Sequence, residues 1–165
     1  MAQVYIGLGS NKGNRLFYIN SALEKLGNIV HIEKVSSFYL TEPVEVKGGW
    51  FINCVVKAST IKSPAQLIQQ LLQIEKELGR KRDNKDRKLR RTIDLDLLFY
   101  DNLIISQKGL TVPHPRLHQR RFVLVPLVEI APELRHPLLK KTVKELLQQL
   151  EDSHEVEKIE PGNSH

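Results

Sequence analysis

The sequence predicts an α+β protein with a ferredoxin-like β-α-β-β-α-β core: an antiparallel sheet flanked by helices, with C-terminal additions. Three observations predict it. Apolar, β-branched runs at 4–8, 29–39, 50–58 and 93–100 read as strands, and two segments of helical period lie between them in the matching order. Gly27 and Gly79 close those two helical segments. A chain of 165 residues, 41% of them hydrophobic, builds one core and is short for two. We therefore expect a single domain over 1–150 and a polar tail over 151–165 that frays.

Taken in order, 4–8 is a short buried strand, and Gly7, Gly9 and Gly13 punctuate the turn after it, which Ser10 or Asn11 caps. Leu16, Ile19, Leu23 and Leu26 recur at helical spacing. One strand follows over 29–39, a loop over 41–49 and a second strand over 50–58. Ser63 and Pro64 start the next helix, because proline fits the first turn, and Leu67, Leu71, Ile74 and Leu78 form its stripe. A strand over 93–100 turns at Asp101-Asn102 towards 103–105. Val112-Pro-His-Pro115 is a rigid loop, since each proline restricts itself and its predecessor. The run 122–130 is mixed apolar without an assigned element, and 143–150 is a helix.

The charge is concentrated. Residues 80–91 hold eight Lys or Arg against two Asp, a surplus of +6, which equals the formal charge of the whole chain. Such a segment serves a polyanion, whether nucleic acid or a small polyphosphate. Its plain alternative is an exposed, solvated loop. Arginine outnumbers lysine five to three there, and arginine is the better bidentate phosphate partner, so a flap over an anionic ligand is expected. The single cysteine, Cys54, excludes an internal disulfide framework and reads as a small buried hydrophobe. With no signal-like N-terminus and no apolar run of membrane-spanning length, a cytoplasmic location is expected.

Thr92-Ile-Asp-Leu-Asp-Leu-Leu98 carries the sharpest chemistry. On a strand, Asp94 and Asp96 project from one face while Ile93, Leu95 and Leu97 enter the core. Two carboxylates on one face repel unless a cation lies between them, and oxygen ligands suit Mg²⁺. A solvated strand face is the alternative, and adjacent Arg90 and Arg91 weigh against it by supplying counter-charge for phosphates. Gly7-Leu-Gly-Ser-Asn-Lys-Gly-Asn-Arg15 matches neither G-x-x-x-x-G-K-[ST] nor G-x-G-x-x-G, so it is no nucleotide loop. His114, held between two prolines, either donates to a phosphate oxygen or is a structural loop residue. Asn53, an amide on an apolar strand, reads a heterocycle edge or ties down backbone.

Four stretches together resemble the 6-hydroxymethyl-7,8-dihydropterin pyrophosphokinase family over residues 3–137. They are Tyr5-Ile-Gly-Leu-Gly-Ser-Asn-Lys-Gly-Asn14, the 41–53 segment, Arg91-Thr-Ile-Asp-Leu-Asp96, and Leu110-Thr-Val-Pro-His-Pro-Arg116 running on to Arg120-Arg-Phe122. The resemblance implies transfer of the β,γ-diphosphate of ATP to the hydroxymethyl group of the pterin, releasing AMP, in folate biosynthesis. It implies that Asp94 and Asp96 hold two Mg²⁺ ions on the triphosphate. Catalysis falls to Arg80, Arg82, Arg91 and His114, and ATP binding to Glu75, Arg82, Arg91, Thr111, His114 and Arg120. The pterin falls to Gly9, Thr41, Pro43, Val44, Phe51, Asn53 and Phe122. The partners implied are ATP and a dihydropterin, with no nucleic acid, no membrane and a monomeric enzyme. Three positions depart from the family pattern: Lys88-Leu89-Arg90 replaces an aromatic sequence, Gly109 replaces a basic residue that Lys108 precedes, and Pro115 stands where some members carry tyrosine.

Two rivals are an RNA-binding ferredoxin-like module, which needs exposed sheet aromatics, and a Mg²⁺-dependent nucleotidyltransferase, which releases pyrophosphate rather than AMP.

Overall fold

The computed structural model describes residues 1–43, 49–79 and 92–159. Strand β1 (Ala2–Ser10) is central, flanked by β4 (Phe51–Thr60) and β5 (Asp94–Tyr100), all antiparallel. The far side of β4 is shared by β2 (His31–Val35) and β3 (Tyr39–Thr41), and β8 (Val156–Lys158) pairs beyond β3. Helix α1 (Arg15–Gly27) and helix α2 (Pro64–Glu77) cover one face, and their Ile19, Ala22, Leu26, Leu67, Leu71 and Ile74 meet Ile6, Leu8, Ile52 and Val56 of the sheet. Helices α3 (Arg121–Ile130) and α4 (Val143–Gln149) cover part of the other face, over Tyr5, Val55, Leu98 and Phe99. A separate hairpin joins β6 (Ile105–Gln107) to β7 (Leu110–Val112). The ferredoxin-like reading holds, with α1 and α2 as the two helices of the β-α-β-β-α-β core and α3 and α4 added on the other face.

Local chemistry explains most boundaries. Ser63 caps α2 in a reciprocal box with Gln66, and Pro64 occupies the first turn where its missing N–H costs nothing. Helix α1 is capped by Asn14, whose side chain accepts from the Phe17 N–H, and not by Ser10 or Asn11 as expected. Asn11 instead donates to the Gly49 carbonyl at 3.4 Å, which leaves the cap to the first Asx residue after the turn.

Four further expectations are corrected. The strand over 29–39 is two, because Ser36 departs from the ladder and its hydroxyl accepts from the Val55 N–H at 2.9 Å. The run 122–130 is helical despite Pro126, which is buried inside α3. The turn at Asp101-Asn102 leads not straight into structure at 103–105 but to strand β6, which begins at Ile105 and pairs with β7. The tail does not fray at Glu151, since β8 places Val156 opposite Thr41 and Lys158 opposite Tyr39. Strand pairing supplies backbone partners that a polar side-chain pattern does not announce. Among the described residues no helix is long and apolar enough to cross a membrane.

A candidate two-substrate site on the sheet

Alternation along three strands builds the floor of the site. Gly9 of β1 lies between Asn53 of β4 and Asp94 of β5, and Gly7 lies between Val55 and Asp96. Directly paired residues share a face, so β1 contributes a channel without side chains between an amide on one side and two carboxylates on the other. Ile93, Leu95 and Leu97 are buried on the opposite face, as the alternation predicts. A Cβ at Gly9 would run into Oδ1 of Asn53 and lie 3.3 Å from the Phe51 ring, whereas one at Gly7 would meet Leu98 at an ordinary 3.6 Å. Gly9 is thus required by close approach and Gly7 is not.

Asn53 is 7% exposed and its Nδ2 donates to the hydroxyl of Thr41 on β3, so the amide is oriented before any ligand arrives. Oδ1 and the second N–H remain to read a donor–acceptor edge. Thr41 pairs with Phe51, and Pro43 follows, half-buried. Phe122 opens α3 with its ring half-buried, and the Arg120 guanidinium lies 5.5 Å from the ring centroid.

The other side of the floor is the outer edge of β5. A register shift against β1 makes Leu98 the extra residue, so Leu98 and Phe99 both face α3 and α4. The Leu98 carbonyl accepts from the His114 N–H at 2.9 Å, which fastens the Pro-His-Pro loop to the strand. The Nδ1 of His114 accepts from the Arg116 N–H at 3.2 Å, so a neutral ring carries its proton on Nε2. Burial, with Arg120 close by, pushes the His114 pKa down to about 4, against the opposing pull of Asp94. The ring is neutral at physiological pH and presents one N–H donor.

A cavity of about 370 Å³ opens beyond this edge, between α2 and the β6–β7 hairpin. Ile68, Leu71, Leu72 and Leu110 make it apolar, while Asp96, Thr111 and His114 stand on its lining. Leu72 is 43% exposed, an exposure that the cavity explains. Glu75 lies behind the strand, 2% exposed, and its Oε2 accepts from the Leu95 N–H at 2.8 Å, between the two aspartates. A second cavity of about 620 Å³, lined by Asn11, Arg15, Leu40, Trp50 and Glu157, contains neither aspartate of β5.

The structure therefore gathers Gly9, Thr41, Phe51 and Asn53 on one side, and Asp94, Asp96, Thr111 and His114 on the other. Arg80, Arg82, Arg91 and Val44 lie outside the described residues. Cys54 is buried in the α1–α2 core, and burial pushes its thiol up to about 12, which fits the unreactive reading. Two groups of contributors went unnoticed in the sequence. Ile68 and Leu72 widen the α2 stripe beyond what the core needs, and the Leu71-Leu72 doublet was their signal. Asp152, His154 and Glu155 carry no local signal at all. The Asp152 carboxylate accepts from the Arg121 and His154 N–H groups, and Glu155 exchanges two hydrogen bonds with Glu42.

Asp94 and Asp96 offer oxygen ligands only, and among the described residues no third His, Cys, Asp or Glu joins a metal-sized cluster. That donor set fits Mg²⁺, which binds through one or two carboxylates and completes its shell with phosphates and water.

A profile described as 7,8-dihydro-6-hydroxymethylpterin-pyrophosphokinase (HPPK) matches residues 5–132. A 2-amino-4-hydroxy-6-hydroxymethyldihydropteridine pyrophosphokinase of Aquifex aeolicus is 44% identical over 146 residues, covering 88% of this chain and 90% of its own. The enzyme of that name from Haemophilus influenzae is 38% identical over 164 residues, 98% of this chain and 100% of its own. Among solved structures, a Plasmodium falciparum HPPK-DHPS triple mutant superposes with a TM-score of 0.73 at 16% identity, covering 90% of this chain. This chain spans 44% of that longer protein, and the likeness shows the fold.

Proposed function

The chain belongs to the 7,8-dihydro-6-hydroxymethylpterin-pyrophosphokinase family and performs the pyrophosphokinase step of folate biosynthesis, and from that premise we propose how its site divides between two substrates. The Asn53 side takes 6-hydroxymethyl-7,8-dihydropterin, and the β5 edge takes ATP with Mg²⁺. The pterin hydroxymethyl oxygen bonds to the β-phosphorus as the bond from that phosphorus to the α-phosphate oxygen breaks, so AMP leaves and the hydroxyl proton is released to solvent.

The observation that carries this reading is the side-chain-free channel of β1. It places an oriented amide and a pair of carboxylates on one floor, two strands apart. A flat heterocycle fits between Phe51 and Phe122, with its polar edge on Asn53 and its plane admitted by Gly9. The apolar cavity between α2 and the β6–β7 hairpin suits a purine, with Thr111 at the sugar or base edge and His114 at the phosphates. Asp94 and Asp96 would hold two Mg²⁺ ions. When bound, Mg²⁺ neutralises triphosphate charge and aligns the oxygens for in-line displacement.

The protein's own groups position and neutralise. His114 donates from Nε2 without changing its charge, and Arg120, with Arg80, Arg82 and Arg91, offsets negative charge that grows on the migrating group. Glu75 supports the strand by taking the Leu95 N–H, which fixes the peptide between the aspartates. No side chain is needed as a strong base, because phosphoryl-type transfer rests on positioning and charge. The RNA-binding rival loses most of its requirement, since the sheet aromatics Tyr5, Tyr39, Phe99 and Tyr100 are buried and, among the described residues, Phe51 alone of the strand aromatics is half-exposed.

A product assay tests the proposal. Protein, ATP, Mg²⁺ and 6-hydroxymethyl-7,8-dihydropterin should give AMP and the pterin diphosphate in equal amounts. Pyrophosphate release without AMP, or ADP formation, would refute it.

A further inference from the structure

We propose that Asp152 is a positioning residue for the pterin site, and that residues 152–156 clamp the site's two walls at a set separation. The inference rests on the reading of Phe122 as one wall of the pterin site and of Phe51, paired with Thr41, as the other.

Helix α3 begins without a cap of its own. Arg120 makes no side-chain cap hydrogen bond, and the first turn holds no acidic residue. The initial N–H groups of a helix need outside acceptors and favour negative charge. Asp152 supplies both, because its Oδ2 accepts from the Arg121 N–H at 3.2 Å. Phe122 is the next residue along. The carboxylate is itself held: Oδ1 accepts from the His154 N–H at 3.0 Å and also meets the His154 ring nitrogen Nδ1. Only 11% of the Asp152 side chain is exposed.

Glu155 then holds the opposite wall. Its carbonyl accepts from the Glu42 N–H at 2.9 Å, and its own N–H donates to the Glu42 carboxylate at 2.9 Å. Val156 pairs opposite Thr41 immediately after. Asp152 and Glu155 are three residue steps apart, a span of about 10 Å at most. The start of α3 and the Thr41–Glu42 strand end cannot part further without breaking one of these contacts.

The remainder of α3 does not depend on Asp152. Leu124 and Leu127 are fully buried in the core beneath it. Glu129, near its end, accepts from the Tyr39 hydroxyl at 2.6 Å and from Ser37. Loss of Asp152 therefore loosens the first turn, where Phe122 lies, and leaves the helix docked. Asp94, Asp96, Thr111 and His114 belong to other elements, and of the described groups read on the ATP side only Arg120, the residue before α3, adjoins the clamp.

Steady-state kinetics on Asp152→Ala and Asp152→Asn test the proposal. Asp152→Ala should raise KM for the pterin about tenfold, the equivalent of one lost helix cap. KM for ATP and kcat should change by no more than about threefold, because the metal carboxylates and His114 lie on other elements and only Arg120 of the described ATP-side groups adjoins the loosened turn. Asp152→Asn keeps an oxygen for the Arg121 N–H and should recover pterin KM to within about threefold of the parent. Glu42→Ala, which releases the other wall, should raise pterin KM with KM for ATP unchanged, and it serves should Asp152→Ala fail to fold. An unchanged pterin KM in both alanine variants overturns the clamp. So does a parallel rise in both KM values, or an asparagine variant no better than alanine. Parent protein that turns over no pterin overturns the underlying reading instead, and the two failures are distinct.

Discussion

Two halves of one sheet face have opposite characters, although the same strands make both. Under α3 and α4 the alternate positions are Tyr5, Val55, Leu98 and Phe99, all nearly inaccessible, with Tyr5 and Phe99 in an edge-to-face contact at 6.1 Å. A few residues along the same strands, the positions are Gly9, Asn53, Asp94 and Asp96. The first half excludes water and supplies stability, while the second gives up packing to hold an amide and two carboxylates. The bulge at Leu98 marks the boundary, and its carbonyl anchors the His114 loop. The apolar half thus fixes the ligand half without sharing its chemistry.

Substitutions on either side should separate activity from stability. Asp96→Ala should lower kcat by about three orders of magnitude or more, the scale seen when a group acting on transition-state charge is removed. Its thermal midpoint should move little, because a half-exposed strand position tolerates alanine. Thermal melts beside single-turnover assays check both. Phe99→Ala should do the reverse. Removing a ring with 1% exposure should cost about 3–5 kcal/mol in denaturant unfolding, with kcat per folded molecule within about threefold of the parent. Equal effects of the two variants on both readouts would erase the distinction between the halves.

A smaller effect lies in the histidines. His114 is pushed down to about 4 by burial and Arg120, whereas its hydrogen bond with Asp152 raises the His154 pKa above the ordinary value of 6.5. As pH falls below 6.5 the unfolded chain takes up a proton that folded His114 refuses. Its contribution to stability is therefore whole above 6.5 and is lost as pH falls through about 4. His154 has the opposite sign: its contribution is whole below 6.5 and is lost as pH rises through its raised value. Ring-proton NMR should show the two midpoints on either side of 6.5, and a His114 midpoint near 6.5 would remove its role as a neutral donor.

The ligand half was legible where chemistry follows strand period. Asp94 and Asp96 had to share a face, and Ile93, Leu95 and Leu97 had to oppose them, because successive side chains alternate. Asn53 was legible as an anomaly, a costly amide on an apolar strand, whereas Gly9 read as part of a turn beyond a strand over 4–8 and entered the site only through the family resemblance; β1 in fact runs on to Ser10. What remained hidden depends on partners distant in sequence. The proton position on His114 needs the Arg116 N–H, and the clamp at Asp152 needs Arg121, Glu42 and a strand pairing. Helix α3 was obscured by Pro126, which breaks the helical signal without breaking the helix. The antiparallel sheet with helices on it followed from the β-α-β-β-α-β pattern, whereas β8 came from a polar stretch with no period.

The division of the floor into a pterin side and an ATP side is tested most directly by two glycines. Binding of a non-hydrolysable ATP analogue with Mg²⁺, and then of the pterin to that complex, should be measured by calorimetry for Gly9→Ala and Gly7→Ala. The new methyl at Gly9 displaces the Asn53 amide, so pterin binding should weaken by about thirtyfold or more while the analogue binds as to the parent. Gly7→Ala, with its methyl in ordinary contact with Leu98, should bind both ligands like the parent. Pterin binding to Gly9→Ala within threefold of the parent, or equal losses of both ligands, would contradict the division.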